Sequence, residues 1–188
     1  MFKKLILSGA VASLVATGAM AKDYTRDIFA SVGSQSSYEF GLAMETKDNL
    51  SSMFSFKKIA DKDLYQGALY STHRDNALYW GLGVGVTYSK IPTITHSQTA
   101  TKPTINGTVT TKLPMFSNTK LEAYLADSNN YGASMEFNVW TGKALLDNTE
   151  FGGGDDTGIV PFLTIGVGID KIQGKTEKSV FVKLHYLF

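Results

Sequence analysis

One short segment contains residues that could form a hydrolytic set: Ser71, His73 and Asp75. A serine nucleophile needs its histidine base within about 3 Å for proton transfer. If these residues lie on one strand, successive members are about 6.6 Å apart along it. His73 also lies in the turn-like stretch 73–76. The spacing therefore predicts no catalytic site here, and we expect no enzymatic activity.

The other residues that commonly bind metals or cofactors are scattered. Cysteine is absent, which excludes thiolate nucleophiles, disulfides and Cys-type zinc sites. His96 lies in a Thr-rich stretch and His185 lies near the C terminus, so the three histidines predict no metal site. The segment 152–156 has two adjacent aspartates but lacks the repeat of calcium-binding β-rolls. We expect a flexible acidic loop there, and no cofactor.

The first 21 residues have the layout of a cleavable signal peptide. Lys3 and Lys4 precede an apolar run over 5–16, and the segment closes with Ala19-x-Ala21, the pattern that a signal peptidase reads. The run is too short for a transmembrane helix, which needs roughly 20 apolar residues. We therefore exclude 1–21 from the fold and expect one domain over 22–188.

The chain beyond the signal peptide is close to electrically neutral. The full sequence has 18 Lys and Arg against 17 Asp and Glu, and the signal peptide contains two of the lysines and no acid. This balance argues against a nucleic-acid-binding protein, which would show a basic excess.

Every second residue among the last ten is apolar. The apolar positions are Val180, Val182, Leu184, Tyr186 and Phe188. Alternate side chains of a strand point to opposite faces, so Lys183 and His185 should lie on the face opposite this apolar set. The alternation that ends on an aromatic residue resembles the C-terminal signature of outer-membrane barrels, which their assembly machinery recognises.

Similar alternation recurs throughout the middle of the chain. Clear segments are 38–45, 78–88, 131–139 and 159–170, and weaker copies lie at 26–34, 50–58, 63–72 and 112–126. Turn-like stretches separate them. Gly81-x-Gly83-x-Gly85 is not the dinucleotide fingerprint, because no helix pattern follows it. These glycines lie on one strand face and indicate a thinned inward wall.

The whole pattern resembles the OmpA/OmpX/Opa-like group of small Gram-negative outer-membrane proteins. The resemblance implies an all-β, transmembrane, antiparallel up-and-down barrel in the outer membrane. It also implies outer-membrane lipid and lipopolysaccharide as surroundings, and the barrel-assembly machinery as a partner during biogenesis. No functional residue is carried over from the group.

The number of strands is open between eight and ten. Nine segments are visible, but both termini of such a barrel should face the periplasm, which requires an even number. Eight results if 26–34 or 50–58 does not span, and ten results if 105–126 contains a hairpin near Ser117-Asn118. The chain length favours eight, the smallest bacterial barrel.

Two long connections are expected between the strands. The first, 90–111, is rich in Thr and Ser and contains Pro92, Pro103 and an Asn106-Gly107 turn signal. We expect it to be an extracellular loop that contacts any extracellular partner. The side of the second connection, 143–157, depends on the strand count.

Alternation also predicts a set of charged side chains that point into the lumen. They are Glu39, Glu45, Lys57, Lys120, Glu122, Glu136, Lys183 and His185. Buried charges are costly unless they are paired, and the interior of an eight-stranded barrel is nearly filled by side chains. We expect a lumen plugged by ion pairs, with Glu122 and Glu136 as candidate partners of Lys183. Two functions remain open: a structural or surface-interaction barrel, and a narrow channel for small solutes.

Overall fold

The computed structural model describes residues 24–46, 49–75, 78–113, 116–141 and 160–187, and this part of the chain contains ten strands. The strands are β1 (Tyr24–Gly33), β2 (Ser37–Thr46), β3 (Leu50–Ile59), β4 (Lys62–Asp75), β5 (Leu78–Pro92), β6 (Ser97–Leu113), β7 (Phe116–Asp127), β8 (Asn130–Thr141), β9 (Val160–Ile172) and β10 (Lys175–Leu187). The expected signal peptide 1–21, the connection 143–157 and Phe188 lie outside the described residues. No helix in the described ranges has the length and apolar character needed to cross a membrane.

The ten strands form one closed antiparallel barrel. Each strand pairs with its neighbours in sequence, and β1 pairs with β10 to close the sheet, with Ile28 opposite Tyr186 and Ser31 opposite Lys183. The prediction of an all-β antiparallel barrel is confirmed. The preference for eight strands was wrong, and the alternative of ten strands is the observed one.

The strand that the sequence did not reveal is β6. The stretch 90–111, expected to be an extracellular loop, is mostly strand, because β5 continues to Pro92 and β6 begins at Ser97. The two strands pair along their whole length. Threonine has a high strand preference, so a Thr-rich segment forms a strand wherever a partner strand is available.

The two turn signals within β6 have no effect for structural reasons. Pro103 lies opposite Val86 in the part of β6 that pairs only with β5, because pairing with β7 begins at Ile105. Its missing N–H can therefore face the unpaired edge, where no ladder hydrogen bond is lost. Asn106 and Gly107 lack the positive φ angles that a tight hairpin turn would need. Leu113 of β6 pairs with Phe116 of β7, so the expected turn residues Ser117 and Asn118 lie inside β7.

The two ends of the barrel differ in their connections. At one end, here called the hairpin end, five short connections join the strands at 34–36, 60–61, 93–96, 128–129 and 173–174. The other end, here called the terminal end, contains both strand termini and the connections 47–49, 76–77, 114–115 and 142–159. The end of β8 at Thr141 and the start of β9 at Val160, which flank the connection over 143–157, both lie at the terminal end.

The two faces of the sheet have opposite chemical character. Large apolar side chains on the outer face are exposed, including Leu82, Val84 (67%), Ile105 and Val180 (62%). Small polar side chains on the inner face are buried. They include Ser31, Ser55, Thr72, Thr87, Ser89, Thr104, Thr108, Asn138, Thr164 and Ser179. The barrel thus has an apolar outer surface and a polar interior.

Candidate functional site

The centre of the lumen contains an ion cluster around Lys183. Its Nζ lies 2.5 Å from Glu136 Oε1 and 3.3 Å from Glu39 Oε2. Lys183 is 4% exposed and Glu136 is 2% exposed. At this level β9 carries only Thr164, opposite Lys183, and Gly166, opposite Glu136. These small side chains leave the space through which β10 and β8 side chains meet.

His185 extends the same cluster toward the terminal end. Its Nδ1 lies 2.9 Å from Asp27 Oδ2, and its Nε2 lies 3.4 Å from Glu136 Oε2. The imidazole stacks on the Phe162 ring with 4.2 Å between the ring centroids. His185 therefore links carboxylates from β1 and β8.

Asp27, His185 and Thr164 have the order of a catalytic triad but not its chemistry. Thr164 Oγ1 lies 3.4 Å from His185 Nε2, and it also donates a hydrogen bond to Glu136 Oε2 at 3.3 Å. The Glu136 carboxylate thus competes for both the hydroxyl proton and the imidazole nitrogen. An imidazole held between two carboxylates has no free nitrogen to act as a general base.

The remaining predicted lumen charges also have partners. Lys57 Nζ lies 2.6 Å from Asp170 Oδ2, Lys120 Nζ lies 2.7 Å from Glu122 Oε1, and Glu45 Oε2 lies 3.6 Å from Arg74 Nη2. The structure places the eight predicted residues in these pairs and in the cluster around Lys183. The expected partner Glu122 lines the same space as Lys183, but its ion pair is with Lys120, which lies two residues away on the same face. Lys183 contacts Glu39 instead.

Other lumen charges were missed by the sequence analysis, and they include Asp27, Lys62, Arg74, Asp170 and Glu177. Lys62 pairs with Glu177 near the hairpin end. Asp170 has the same parity as Gly166 and Gly168, so alternation along β9 could have identified it as inward. Asp27 belongs to a weakly alternating segment that gave no such signal.

The sequence candidates for other chemistry lie apart from one another. His73 is exposed on the outer wall, where its ring centroid lies 5.6 Å from that of Trp80. His96 lies in the β5–β6 connection, with Nδ1 2.8 Å from Thr95 Oγ1. Ser71 is exposed, and the Asp75 side chain is outside the described part of the structure. Among the described residues, no group of three acidic or histidine side chains is arranged to hold a metal.

An apolar layer lies inside the lumen at the hairpin end. Ile59, Leu64, Ile91 and Ile172 pack together, and each is at most 3% exposed. Tyr124 packs against them, and its hydroxyl donates a hydrogen bond to Asp170 Oδ1 at 3.2 Å. This apolar layer is therefore joined to the Lys57–Asp170 ion pair below it.

A cavity of about 510 Å³ occupies the lumen at the terminal end. Its wall includes Tyr70, Arg74, Tyr79, Lys120 and Glu122. A second space, of about 40 Å³, lies deeper in the lumen beside Lys57 and Lys183. Free volume in the lumen thus decreases from the terminal end toward the apolar layer.

The outer wall has aromatic side chains near both ends. Near the hairpin end, neighbouring rings of Tyr38, Phe56, Tyr65 and Tyr88 form a continuous row across four strands, with centroids 4.7 to 5.8 Å apart. Near the terminal end, the exposed aromatic side chains include Trp80, Trp140 and Tyr186. Exposed aliphatic side chains such as Leu82, Val84, Val86 and Ile105 lie between these two levels.

Charged side chains also lie around the rim of the hairpin end. Asp127 pairs with Lys102 at 3.3 Å, and it accepts hydrogen bonds from the Asn130 side chain and the Asn129 N–H. These hydrogen bonds lower the pKa of the Asp127 carboxyl below its ordinary value. The negative charge at this position is therefore already satisfied by its neighbours.

Comparison with known proteins gives structural likeness only. No protein-family model matches the sequence, and no curated protein is detectably similar to it. The N-terminal β-barrel domain of Pseudomonas aeruginosa OprF is similar with a TM-score of 0.37 and 9% identity, covering 88% of this chain and 97% of that one. The KdgM porin is similar with a TM-score of 0.37 and 8% identity, covering 87% of this chain and 98% of that one. The closed antiparallel barrel is the fold class that the sequence pattern predicts.

Proposed function

We propose that residues 22–188 form an integral outer-membrane barrel with a closed lumen, which has a structural or surface-interaction role. The observation that carries the membrane placement is the character of the wall. Exposed aliphatic side chains lie between two levels of aromatic residues, while polar and charged side chains are buried inside. This is the arrangement of transmembrane barrels and the inverse of a soluble barrel with a ligand-binding apolar core.

The dimensions of the sheet are consistent with a membrane span. The described strands have 10 to 17 residues, and a tilted transmembrane strand needs about 9–11. The pairing of β1 with β10 leaves no open edge, so the backbone hydrogen bonds of the wall are satisfied without water. Lipid and lipopolysaccharide are the proposed surroundings of this wall. The outward residues of β10 are the proposed assembly signal.

The proposed closure of the lumen rests on two barriers in series. The apolar layer of Ile59, Leu64, Ile91 and Ile172 lies at the hairpin end, and the cluster around Lys183 lies below it. An ion that crossed the barrel would have to displace aliphatic side chains and exchange its water for paired charges, both of which are unfavourable.

The closed lumen predicts conductance near baseline for the purified protein in planar bilayers. Replacing Ile59 and Ile172 together with Ser should remove part of the apolar layer and raise the conductance, because water then reaches the ion cluster below it. The matched control replaces Ile105 and Ile165 together with Ser. Both side chains are exposed on the outer wall, so this variant should leave the conductance at baseline. Reproducible single-channel steps in the unmodified protein would contradict the closed lumen.

The second candidate function is a narrow channel for small solutes. The cavity of about 510 Å³ at the terminal end favours it, because this cavity would serve as a vestibule. Conduction would then require movement of the apolar layer. No catalytic role is proposed, since the imidazole of His185 is held between the carboxylates of Asp27 and Glu136.

A further inference from the structure

An apolar groove runs along the outer wall over β7, β8, β9 and β10. Its volume is about 520 Å³. Leu121, Met135, Val167, Ile169 and Val180 are among the residues that line it. The residue at its floor is Ala133, which lies opposite Ala123 on one side and Ile169 on the other. The small side chains of Ala123 and Ala133 leave a depression between larger aliphatic side chains.

Two lysines lie where the groove reaches the hairpin end. Lys178, which is exposed, lines the groove and lies opposite Ile169. Lys171 lies opposite Thr176, two residues further along the same pair of strands. Side chains in such diagonal positions have Cβ atoms about 7–8 Å apart, so both ammonium groups can reach one anion.

Lys171 is placed at the level of the aromatic residues on the wall. It lies directly opposite Tyr131, and its Nζ lies 5.6 Å from the centroid of the Tyr131 ring. The same Nζ donates a hydrogen bond to the Ser128 carbonyl at 2.8 Å. Aromatic residues of membrane barrels lie at the level of lipid headgroups, so the two lysines lie beside headgroups and the groove lies beside the acyl chains.

The other outward lysines at this end differ because an acidic residue lies next to them. Asp63 lies directly opposite both Lys58 and Lys90 on its two neighbouring strands. In the described residues, no carboxylate forms an ion pair with Lys171 or Lys178. The excess positive charge on the outer wall is therefore concentrated at the apolar groove.

We propose that this groove binds one phosphate-bearing lipid of net negative charge from the surrounding leaflet. An acyl chain occupies the groove over Ala133, and the phosphate binds between Lys171 and Lys178. The inference rests on the proposed membrane placement, and it adds a lipid class and a defined position on the wall. Zwitterionic lipids would place an acyl chain in the same groove, but the quaternary amine beside their phosphate would oppose binding between the two lysines.

The test measures how lipids stabilise the purified barrel in detergent micelles. Phosphatidylglycerol should raise the midpoint of thermal unfolding at lower mole fractions than phosphatidylcholine. One lysine beside an anionic lipid surface strengthens binding by roughly fivefold. Replacing both Lys171 and Lys178 with Gln should therefore weaken phosphatidylglycerol binding roughly thirtyfold. The matched control replaces Lys58 and Lys90 with Gln and should change binding by about twofold or less.

Two further arms separate the groove from the phosphate contact. Ala133→Trp should weaken binding of both lipids, because the indole occupies the acyl-chain position, and inorganic phosphate alone should give no stabilisation. Equal binding of the two lipids by the unmodified protein would overturn the inference, and so would equal losses in the two lysine double variants. Purification of a folded barrel without detergent would instead overturn the membrane placement, so the two failures are distinguishable.

Discussion

Lys183→Met is expected to lower the free energy of unfolding by about 3–5 kcal/mol, because it leaves a buried carboxylate without its cation. Glu136 has its carboxylate 2.5 Å from the Lys183 ammonium, and Glu39 lies 3.3 Å from it on the other side. His185 can compensate only in part, since it already contacts Asp27. Water from the adjacent cavity would bring the loss toward the lower end of this range.

Urea-induced unfolding in detergent micelles, followed by circular dichroism, measures this loss. The matched control is Lys178→Met, which removes the same charge from an exposed position on the same strand and should change stability by less than about 1 kcal/mol. In the double variant with Glu136→Met, the loss should be smaller than the sum of the two single losses, because both charges disappear together. Equal stability of the Lys183 and Lys178 variants would contradict the structural role of the cluster.

Gly166→Val is expected to lower the free energy of unfolding by about 3 kcal/mol, the upper part of the usual cost of overpacking. A Cβ atom at Gly166 would lie 2.5 Å from Phe181 Cζ and 2.6 Å from the Met135 carbonyl oxygen. Phe181 lies directly opposite Gly166 across the β9–β10 pair. The glycine thus provides the space that the aromatic ring occupies, and the backbone of β8 limits any displacement.

The matched control for this prediction is Gly107→Val, because Gly107 is also a strand glycine but faces outward. The nearest atom to a Cβ at Gly107 is Leu82 Cδ2 at 3.8 Å, which is ordinary contact. Folded and heat-unfolded barrels migrate differently in detergent gel electrophoresis. The temperature at which the folded band disappears gives the unfolding temperature of each variant. If both variants unfolded at the same temperature, the aromatic ring over Gly166 would have no role in packing.

The same cross-strand arrangement of an aromatic residue opposite a glycine recurs around the barrel. The further pairs are Phe29 with Gly41, Phe54 with Gly67, Tyr70 with Gly83, and Tyr124 with Gly132. An aromatic ring that covers a glycine fixes strand register and fills the volume left by the missing side chain. Gly83 was predicted to thin the inward wall, and the Tyr70 ring occupies the space that this glycine leaves.

Alternation determined which parts of the fold could be predicted. In β10, every second residue from Val180 onward is apolar, and Lys183 and His185 lie at the intervening positions, so the outward position of Val180 and the inward position of Lys183 follow from the sequence alone. In β6, threonines lie on both faces, and the contrast that identifies a strand is absent. The strand count could not be settled because threonines interrupt the apolar residues on the outward face of β6.

The partners of the lumen charges could not be predicted from alternation. Parity tells which face a side chain occupies, but register and strand order determine which charge lies nearby. Glu39 lies on β2 and reaches Lys183 only because β1 and β10 close the barrel between them. The added width of ten strands makes room for the cavity at the terminal end. The apolar layer at the hairpin end depends on four residues from β3, β4, β5 and β9, which no local pattern connects.

The proposed contact between the outer wall and lipid is tested most directly by site-directed spin labelling. The chain contains no cysteine, so a single cysteine can be introduced and labelled at each position without first removing native cysteines. Labels at outward Val84, Ile105 and Val180, in the barrel reconstituted in lipid vesicles, should collide readily with oxygen dissolved in the bilayer and rarely with a water-soluble nickel complex. A label at Arg74, which is exposed at the terminal end of the lumen, should show the reverse. Ready access of the nickel complex to the three outward labels would contradict the membrane barrel.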